Sequence, residues 1–249
     1  MPSLSGRHVL ITGISRGVGL ETARLFLAEG AHVFGVGQDA SRLEAARREL
    51  DSMGERLHVF AVDLARPEAA DSIRAEVERR WPRVDVLLNN AGIQIDQGAR
   101  GLVDGQEATL TRSLEVNLMA PYRLSLALLP LLRAGREPRI VNVSSGAGTF
   151  AAMRDSHIAS YRLSKWALNG LTLLLASELK GQVAVNAFDP GWVKTDLRRP
   201  ERPWQPARIS ARRARDCNAA IRGDREVLER WQRDPVLSRL VAGLAAHRT

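Results

Sequence analysis

His8-Val9-Leu10-Ile11-Thr12-Gly13-Ile14-Ser15-Arg16-Gly17-Val18-Gly19 is the stretch on which the fold turns. Its first five residues are a short apolar run closed by a glycine, the pattern of a strand buried on both faces of a parallel sheet. A helical periodicity follows through Leu20, Ala23, Leu25, Phe26 and Leu27 to Gly30, which suits a helix C-cap. Ala31-His32-Val33-Phe34-Gly35-Val36 then reads as a second strand. Strand, glycine-rich turn, helix and strand within about 30 residues form the context in which such a turn cradles a pyrophosphate. Glycines let the backbone approach the phosphates, and the helix N-terminus supplies amide donors and a positive dipole end. The spacing of Gly13, Gly17 and Gly19 is not G-x-G-x-x-G, so a purely structural turn is the competing reading of this stretch alone.

The alternation continues downstream. Residues 41–53 predict a helix rich in Arg, Glu and Ala, and residues 57–62 a strand that ends at Asp63-Leu64. Pro67 stands near the first turn of a helix through Ala70, Ile73, Val77 and Trp81. Val84 to Leu88 is a strand leading into Asn89-Asn90-Ala91-Gly92. Residues 106–133 read as largely helical with a break near Pro121. Arg139 to Val143 is a fifth strand ending at Ser144-Ser145-Gly146, and Val183 to Phe188 a sixth, followed by Pro190-Gly191. Strands at this spacing, separated by helices, predict an α/β fold with a Rossmann-type, doubly wound parallel sheet in a single domain. Ligands of such sheets bind at the carboxyl ends of the strands, where all the marked turns lie.

Composition narrows the function classes. The chain has 249 residues, 45% of them apolar, enough for a sizeable core. No apolar run reaches ~18 residues, so no membrane span is expected, and no secretory leader is visible at the N-terminus. The single cysteine, Cys217, excludes an internal disulfide framework and points to a cytoplasmic protein. Five histidines are scattered without metal-ligand spacing, so no metal site is expected. The formal charge of +8 is uneven: residues 198–249 hold 13 Arg against 6 acids, leaving 23 basic and 22 acidic residues elsewhere. Nucleic acid is not expected as a partner, because those arginines alternate with acids and carry little aromatic interleaving.

Chemistry is suggested by Tyr161-Arg162-Leu163-Ser164-Lys165, at the head of an apolar-periodic run through Trp166, Leu168, Leu171, Leu174 and Leu175. On a helix, residues four apart share a face. A phenol titrates near pH ~10, and a neighbouring ammonium favours its anion. Tyr161 and Lys165 thus form a minimal proton-transferring device, although the same spacing occurs in many surface helices.

Taken in order, Thr12-Gly-x-x-x-Gly17-x-Gly19, Asp63, Asn89-Asn90-Ala91-Gly92, Asn117, Ser145, Tyr161-x-x-x-Lys165 and Pro190-Gly191-x-Val193-x-Thr195 resemble the short-chain dehydrogenase/reductase family. The resemblance spans residues 7–197 and is nearest to carbonyl-reductase-like members at Pro190–Asp196. It implies an NAD(P)-dependent oxidoreductase that moves a hydride between nicotinamide and a carbonyl or secondary alcohol. In that reading Tyr161 exchanges a proton with the substrate oxygen, and Lys165 lowers the phenol pKa and binds the nicotinamide ribose. Ser145, rather than its neighbour Ser144, hydrogen-bonds the substrate carbonyl, and Asn117 anchors a water behind Lys165. The cofactor would meet Gly13, Ser15, Arg16, Gly17, Val18 and Gly19 at the glycine turn, Gln38 after the second strand, and Asp63 and Leu64 at the adenine. Asn90, Ala91 and Gly92 would face the ribose side, and Pro190, Gly191, Val193 and Thr195 the carboxamide or phosphates. The position that carries an acid in NAD-binding relatives is Gly37, which together with Arg16 favours NADP; a small register shift onto Asp39 would favour NAD instead. A homodimer or homotetramer is expected from the resemblance, with a small-molecule substrate as the other partner.

Two departures accompany it. Ser145 and Tyr161 are 16 apart, so residues 149–157 form a long loop in which Phe150, Met153 and His157 are candidates to touch substrate. After Leu197 the chain becomes rich in Arg and Pro without a recognisable seventh strand. Residues 1–197 are therefore read as the catalytic domain, and 198–249 as an atypical segment packing on or extending it. A catalytically silent, dinucleotide-sensing protein on the same scaffold is the alternative function.

Overall fold

The computed structural model describes residues 4–50, 55–96 and 101–190. The expectations for Gly191, Val193, Thr195 and the segment 198–249, and the last turn predicted for residues 51–53, lie outside the described residues.

Six strands build the sheet: β1 (His8–Thr12), β2 (His32–Gly37), β3 (Leu57–Ala61), β4 (Val86–Asn89), β5 (Arg139–Val143) and β6 (Ala184–Phe188). All pair in parallel, in the order β3-β2-β1-β4-β5-β6. The helices are α1 (Gly17–Ala28), α2 (Ala40–Glu49), α3 (Ala69–Glu78), α4 (Glu107–Leu114), α5 (Ala120–Ala127), α6 (Leu129–Arg133) and α7 (Ala159–Glu178). The order is that of a doubly wound dinucleotide-binding sheet, whose topological switch falls between β1 and β4. Both faces are covered, so Val9, Leu10 and Ile11 are all fully buried. Val9 and Ile11 face a core with Phe26, Leu27, Leu43 and Val141. Leu10 faces the opposite core, with Phe34, Ile73, Leu87 and Leu175.

The helical stretch 106–133 is broken twice. One wide turn with π-type bonding, Glu115–Met119, joins α4 to α5, and a second break falls at Leu128, ahead of Pro130. Pro130 sits in the first turn of α6, where the missing N–H has no intrahelical partner to lose, and Pro121 directly follows the π-type turn in a run that stays helical from Glu107 to Ala127.

The histidines are less scattered in space than in sequence. His8 and His32 are register partners on β1 and β2, and His58 lies opposite Phe34 on β3. Parallel strands thus gather three of the five at the amino end of the sheet. Their rings close around Trp81, which stacks on His8 at 4.7 Å. Burial holds His8 and His58 below the ordinary imidazole range. Among the described residues no cluster of His, Cys, Asp or Glu is arranged to hold a metal ion.

Candidate active site

The glycine turn and the end of β4 meet side by side at the switch point. The buried Thr12 hydroxyl accepts from the amides of Asn90 (3.0 Å) and Ala91 (2.9 Å). The Asn90 side chain donates to the carbonyls of Thr12 (2.8 Å) and Gly13 (3.2 Å). The Asn90 amide group is therefore a brace for the turn, a duty its place in the sequence does not announce. Gly13 has φ +75°, and a side chain there would lie 2.9 Å from the Ala91 Cα. A Cβ on Gly19 would collide with the Gly13 carbonyl oxygen. Both positions thus require glycine, and the chain can wrap tightly into α1. Arg16, the N-cap of α1, supplies no side-chain cap to the first-turn amides. Those donors and the dipole end suit a pyrophosphate.

The end of β2 holds the residues that the resemblance assigns to the ribose. Gly37 is the last strand residue and Gln38 follows on an exposed bend. The Asp39 carboxylate is engaged as the N-cap of α2, accepting from the amides of Ser41 (3.0 Å) and Arg42 (3.1 Å) and from the Ser41 hydroxyl (2.7 Å). These hydrogen bonds, the Ser41 hydroxyl first, hold Asp39 below the usual carboxylate range. After β3, Asp63 accepts from Arg112 of α4 on both oxygens at 3.0 Å and from the Ala65 amide at 3.1 Å. Sequence reading missed Arg112, because nothing local links residue 112 to residue 63.

The candidate groups come together where α7 packs against the end of β5 and the turn that follows it. The Ser145 side chain faces the Tyr161 hydroxyl, and Lys165 lies with its ammonium 5.8 Å from the centre of the Tyr161 ring. Lys165 is 3% exposed and donates to the Val143 carbonyl at 2.8 Å. Burial lowers its pKa to about 8, partly offset by the nearby Asp189 carboxylate. Burial also pushes the Tyr161 phenol above its ordinary range; the Ser145 hydroxyl opposes this and the Asp189 carboxylate adds to it. The ammonium that donates to the Val143 carbonyl also lies over the Tyr161 ring.

Asn117 sits in the wide turn between α4 and α5, which swings its side chain inward. Its amide clasps Ile93 at both main-chain groups, accepting from the N–H and donating to the C=O, each at 2.8 Å. It also donates to Ser164 Oγ at 2.9 Å, beside Lys165. Wide turns of this kind recur at functional positions. Ser144 and Ser145 part company: Ser144 is 3% exposed and donates to Asn169 Oδ1 at 2.6 Å, whereas Ser145 reaches Tyr161. A side chain at Gly148 would meet the backbone of Lys165 at 2.7 Å, so the turn after Ser145 packs directly on α7. Behind these groups a buried polar ladder ties the sheet to the helix. Asn89 donates to Asn142 (2.8 Å), Asn142 to Thr172 (2.9 Å), and Thr172 to the Leu168 carbonyl (2.7 Å). His157 and Phe150 are exposed, Phe150 at 75%, while Met153 is half-buried.

Residues 7–206 match the sequence profile of the short chain dehydrogenase family. The chain belongs to that family. It is 33% identical over 196 residues to 3-oxoacyl-[acyl-carrier-protein] reductase FabG of Vibrio cholerae, a match covering 78% of this chain and 77% of the relative. It is also 33% identical over 206 residues to L-xylo-3-hexulose reductase of Hypocrea jecorina, covering 75% and 66%. Among solved structures it superimposes on a metagenomic short-chain oxidoreductase in complex with NADP, with 36% identity, a TM-score of 0.68 and coverage of 78% and 86%. The short chain dehydrogenase from Shigella flexneri gives 27% identity, a TM-score of 0.72 and coverage of 78% and 76%. As a short-chain dehydrogenase/reductase the chain is an NAD(P)-dependent oxidoreductase that transfers a hydride between nicotinamide and a carbonyl or secondary alcohol. No described helix is long and apolar enough to cross a membrane.

Proposed function

We propose that the chain is an NADP-dependent carbonyl reductase in which Asn117, Ser145, Tyr161 and Lys165 are the working groups. The observation that carries this reading is the Tyr161 hydroxyl, faced by the Ser145 side chain and flanked by the buried Lys165 ammonium. Ser145 steadies the substrate oxygen, where negative charge grows as the carbonyl is reduced. Tyr161, protonated at neutral pH, delivers its proton to that oxygen in the reducing direction. Lys165 stabilises the phenolate left behind and returns a proton to it, and the lysine amine is then reprotonated from the Asn117 side. The bound nicotinamide supplies the hydride, and the protein's part is to orient and shield.

The choice of NADP rests on Gly37, on an Asp39 carboxylate already engaged by α2, and on Arg16 in the glycine turn. The relative solved with NADP agrees with it. Gly13, Ser15, Gly17, Val18 and Gly19 would receive the pyrophosphate, with Arg16 and Gln38 near the 2′-phosphate. Leu64 and the Arg112-bound Asp63 would wall the adenine, and Ala91 and Gly92 the ribose, with Asn90 bracing from behind. Pro190, Gly191, Val193 and Thr195 would meet the carboxamide or phosphates. Exposed Leu102, Val103 and Phe150 support a substrate with an apolar portion, because Gly101 meets Ser156 and so joins their two loops. Exposed Tyr122, Leu126, Trp166 and Leu174 support association into a homodimer or homotetramer. A cytoplasmic location and a catalytic unit of residues 1–197 complete the reading. The test is oxidation of NADPH and of NADH, side by side, with a panel of apolar ketones and aldehydes. Faster oxidation of NADPH supports the proposal; exclusive use of NADH would refute the cofactor choice.

A further inference from the structure

We infer that Asp96 is a positioning residue for Tyr161, holding the first turn of the catalytic helix from outside the helix. α7 begins badly on its own account. Its N-cap is Ile158, a β-branched residue in the left-handed region at φ 53°, ψ 41°, and it provides no side-chain cap. Such a conformation is costly for a β-branched side chain and persists only where its surroundings enforce it. The orphan amides at that end find their acceptor in another part of the chain. Asp96, on the loop after β4, accepts from the Ser160 amide through one oxygen at 2.8 Å and from the Tyr161 amide through the other at 3.1 Å. Both bonds are charge-assisted and sit at the positive end of the helix dipole.

The carboxylate is held by a loop that also serves the rest of the site. Six residues upstream Asn90 braces the glycine turn, and three upstream Ile93 is clasped by Asn117. Asp96 extends that chain of fixed points to the backbone of the proton donor itself. The other arm of the helix start is separate: Arg162 pairs with Asp155 and donates to the His157 carbonyl at 2.7 Å. Those contacts secure the approach to the helix and leave the Ser160 and Tyr161 amides to Asp96. The groups that shift the Tyr161 phenol are its burial, Ser145 and Asp189. Asp96 therefore acts through geometry, and its removal should lower turnover without moving the pH profile.

The inference rests on the reductase reading for its kinetic arm, so a second readout is independent of turnover. Asp96→Ala frees both amides; Asp96→Asn keeps one acceptor oxygen. For Asp96→Ala, kcat should fall about 10- to 100-fold, the scale of a small misplacement of a reacting group. The NADPH dissociation constant should stay within about threefold, because the glycine turn keeps its own braces, and the pH profile of kcat should keep its inflections. Asp96→Asn should recover at least about a third of the lost activity on a logarithmic scale, having kept one of two bonds. In parallel, hydrogen exchange on peptides spanning residues 158–166 should show the Ser160 and Tyr161 amides exchanging about tenfold faster or more in Asp96→Ala, and less so in Asp96→Asn. If Asp96→Ala does not fold, Asp96→Asn carries the test, with a kcat loss of about 3- to 10-fold and faster exchange at the same two amides. Wild-type exchange at these amides in either folded variant overturns the inference, whatever the kinetics. So does an unchanged kcat alongside accelerated exchange. A wild type with no turnover on any carbonyl refutes the reductase reading alone, and the exchange result still decides whether Asp96 holds the helix.

Discussion

Replacing Lys165 by Met removes the ammonium and keeps much of its volume, and its consequence for stability can be worked from the burial of that one charge. Lys165 is 3% exposed, and burial lowers its pKa from 10.5 to about 8. At about 1.36 kcal/mol per pKa unit, the folded protein holds the charged form at a cost of about 3 kcal/mol. The sign follows from proton counting. Between pH 8 and 10.5 the folded chain binds fewer protons than the unfolded chain, so stability rises with pH across that window, and below pH 8 the full penalty is present. The Met variant has no such group. The unfolding free energy of wild type relative to Lys165→Met should therefore increase by about 2 kcal/mol between pH 7 and pH 9.5. At pH 7 the variant should equal wild type or exceed it by up to about 2 kcal/mol, the relief of the charge being set against a Val143 carbonyl that loses its donor at about 1–3 kcal/mol. Denaturant unfolding of both proteins at the two pH values gives the comparison, and taking the difference cancels every other titrating group. Parallel behaviour of the two proteins, within about 0.5 kcal/mol across that range, would refute the reasoning, since it would mean that the lysine is solvated or already paired.

Three further outcomes are expected. Gly19→Ala should abolish dinucleotide binding in a titration calorimeter, because its methyl group falls on the Gly13 carbonyl oxygen and forces the phosphate turn open. Arg16→Ala should raise KM for NADPH about tenfold while leaving KM for NADH within about twofold, as loss of one charge-assisted contact to the 2′-phosphate requires. Asn142→Ala should cost about 2–4 kcal/mol in denaturant unfolding, because it strands the buried Asn89 and Thr172 groups that it now joins.

Much of the fold was legible because a parallel strand covered on both faces has to be a continuous apolar run. β1, β5 and β6 fall where such runs predict them, β1 and β5 to the residue. The catalytic candidates were legible through the local spacing of Tyr161 and Lys165 and through the ordered motifs around them. What the sequence hid is non-local. The gathering of His8, His32 and His58 depends on strand register, since each stands some 25 residues from the next. The grip of Arg112 on Asp63 joins a strand end to a helix 49 residues away, and the hold of Asp96 on the Tyr161 amide spans 65. Ser144 and Ser145 are adjacent and chemically identical; only the direction each hydroxyl takes off the end of β5 separates the one bound to Asn169 from the one that faces Tyr161. The balance at the phenol was also invisible, because burial and the Asp189 carboxylate arise from packing, and spacing alone spoke only for Lys165.

The most direct test of the central claim is the rate of NADPH oxidation with apolar carbonyl substrates by wild type and by Tyr161→Phe, together with NADPH binding to each. Turnover in wild type that falls by about 10³-fold or more in Tyr161→Phe, with NADPH affinity unchanged within about threefold, is the predicted result for loss of the proton donor alone. Retention of turnover in Tyr161→Phe within about tenfold of wild type would contradict the assignment of Tyr161 as the group that delivers the proton.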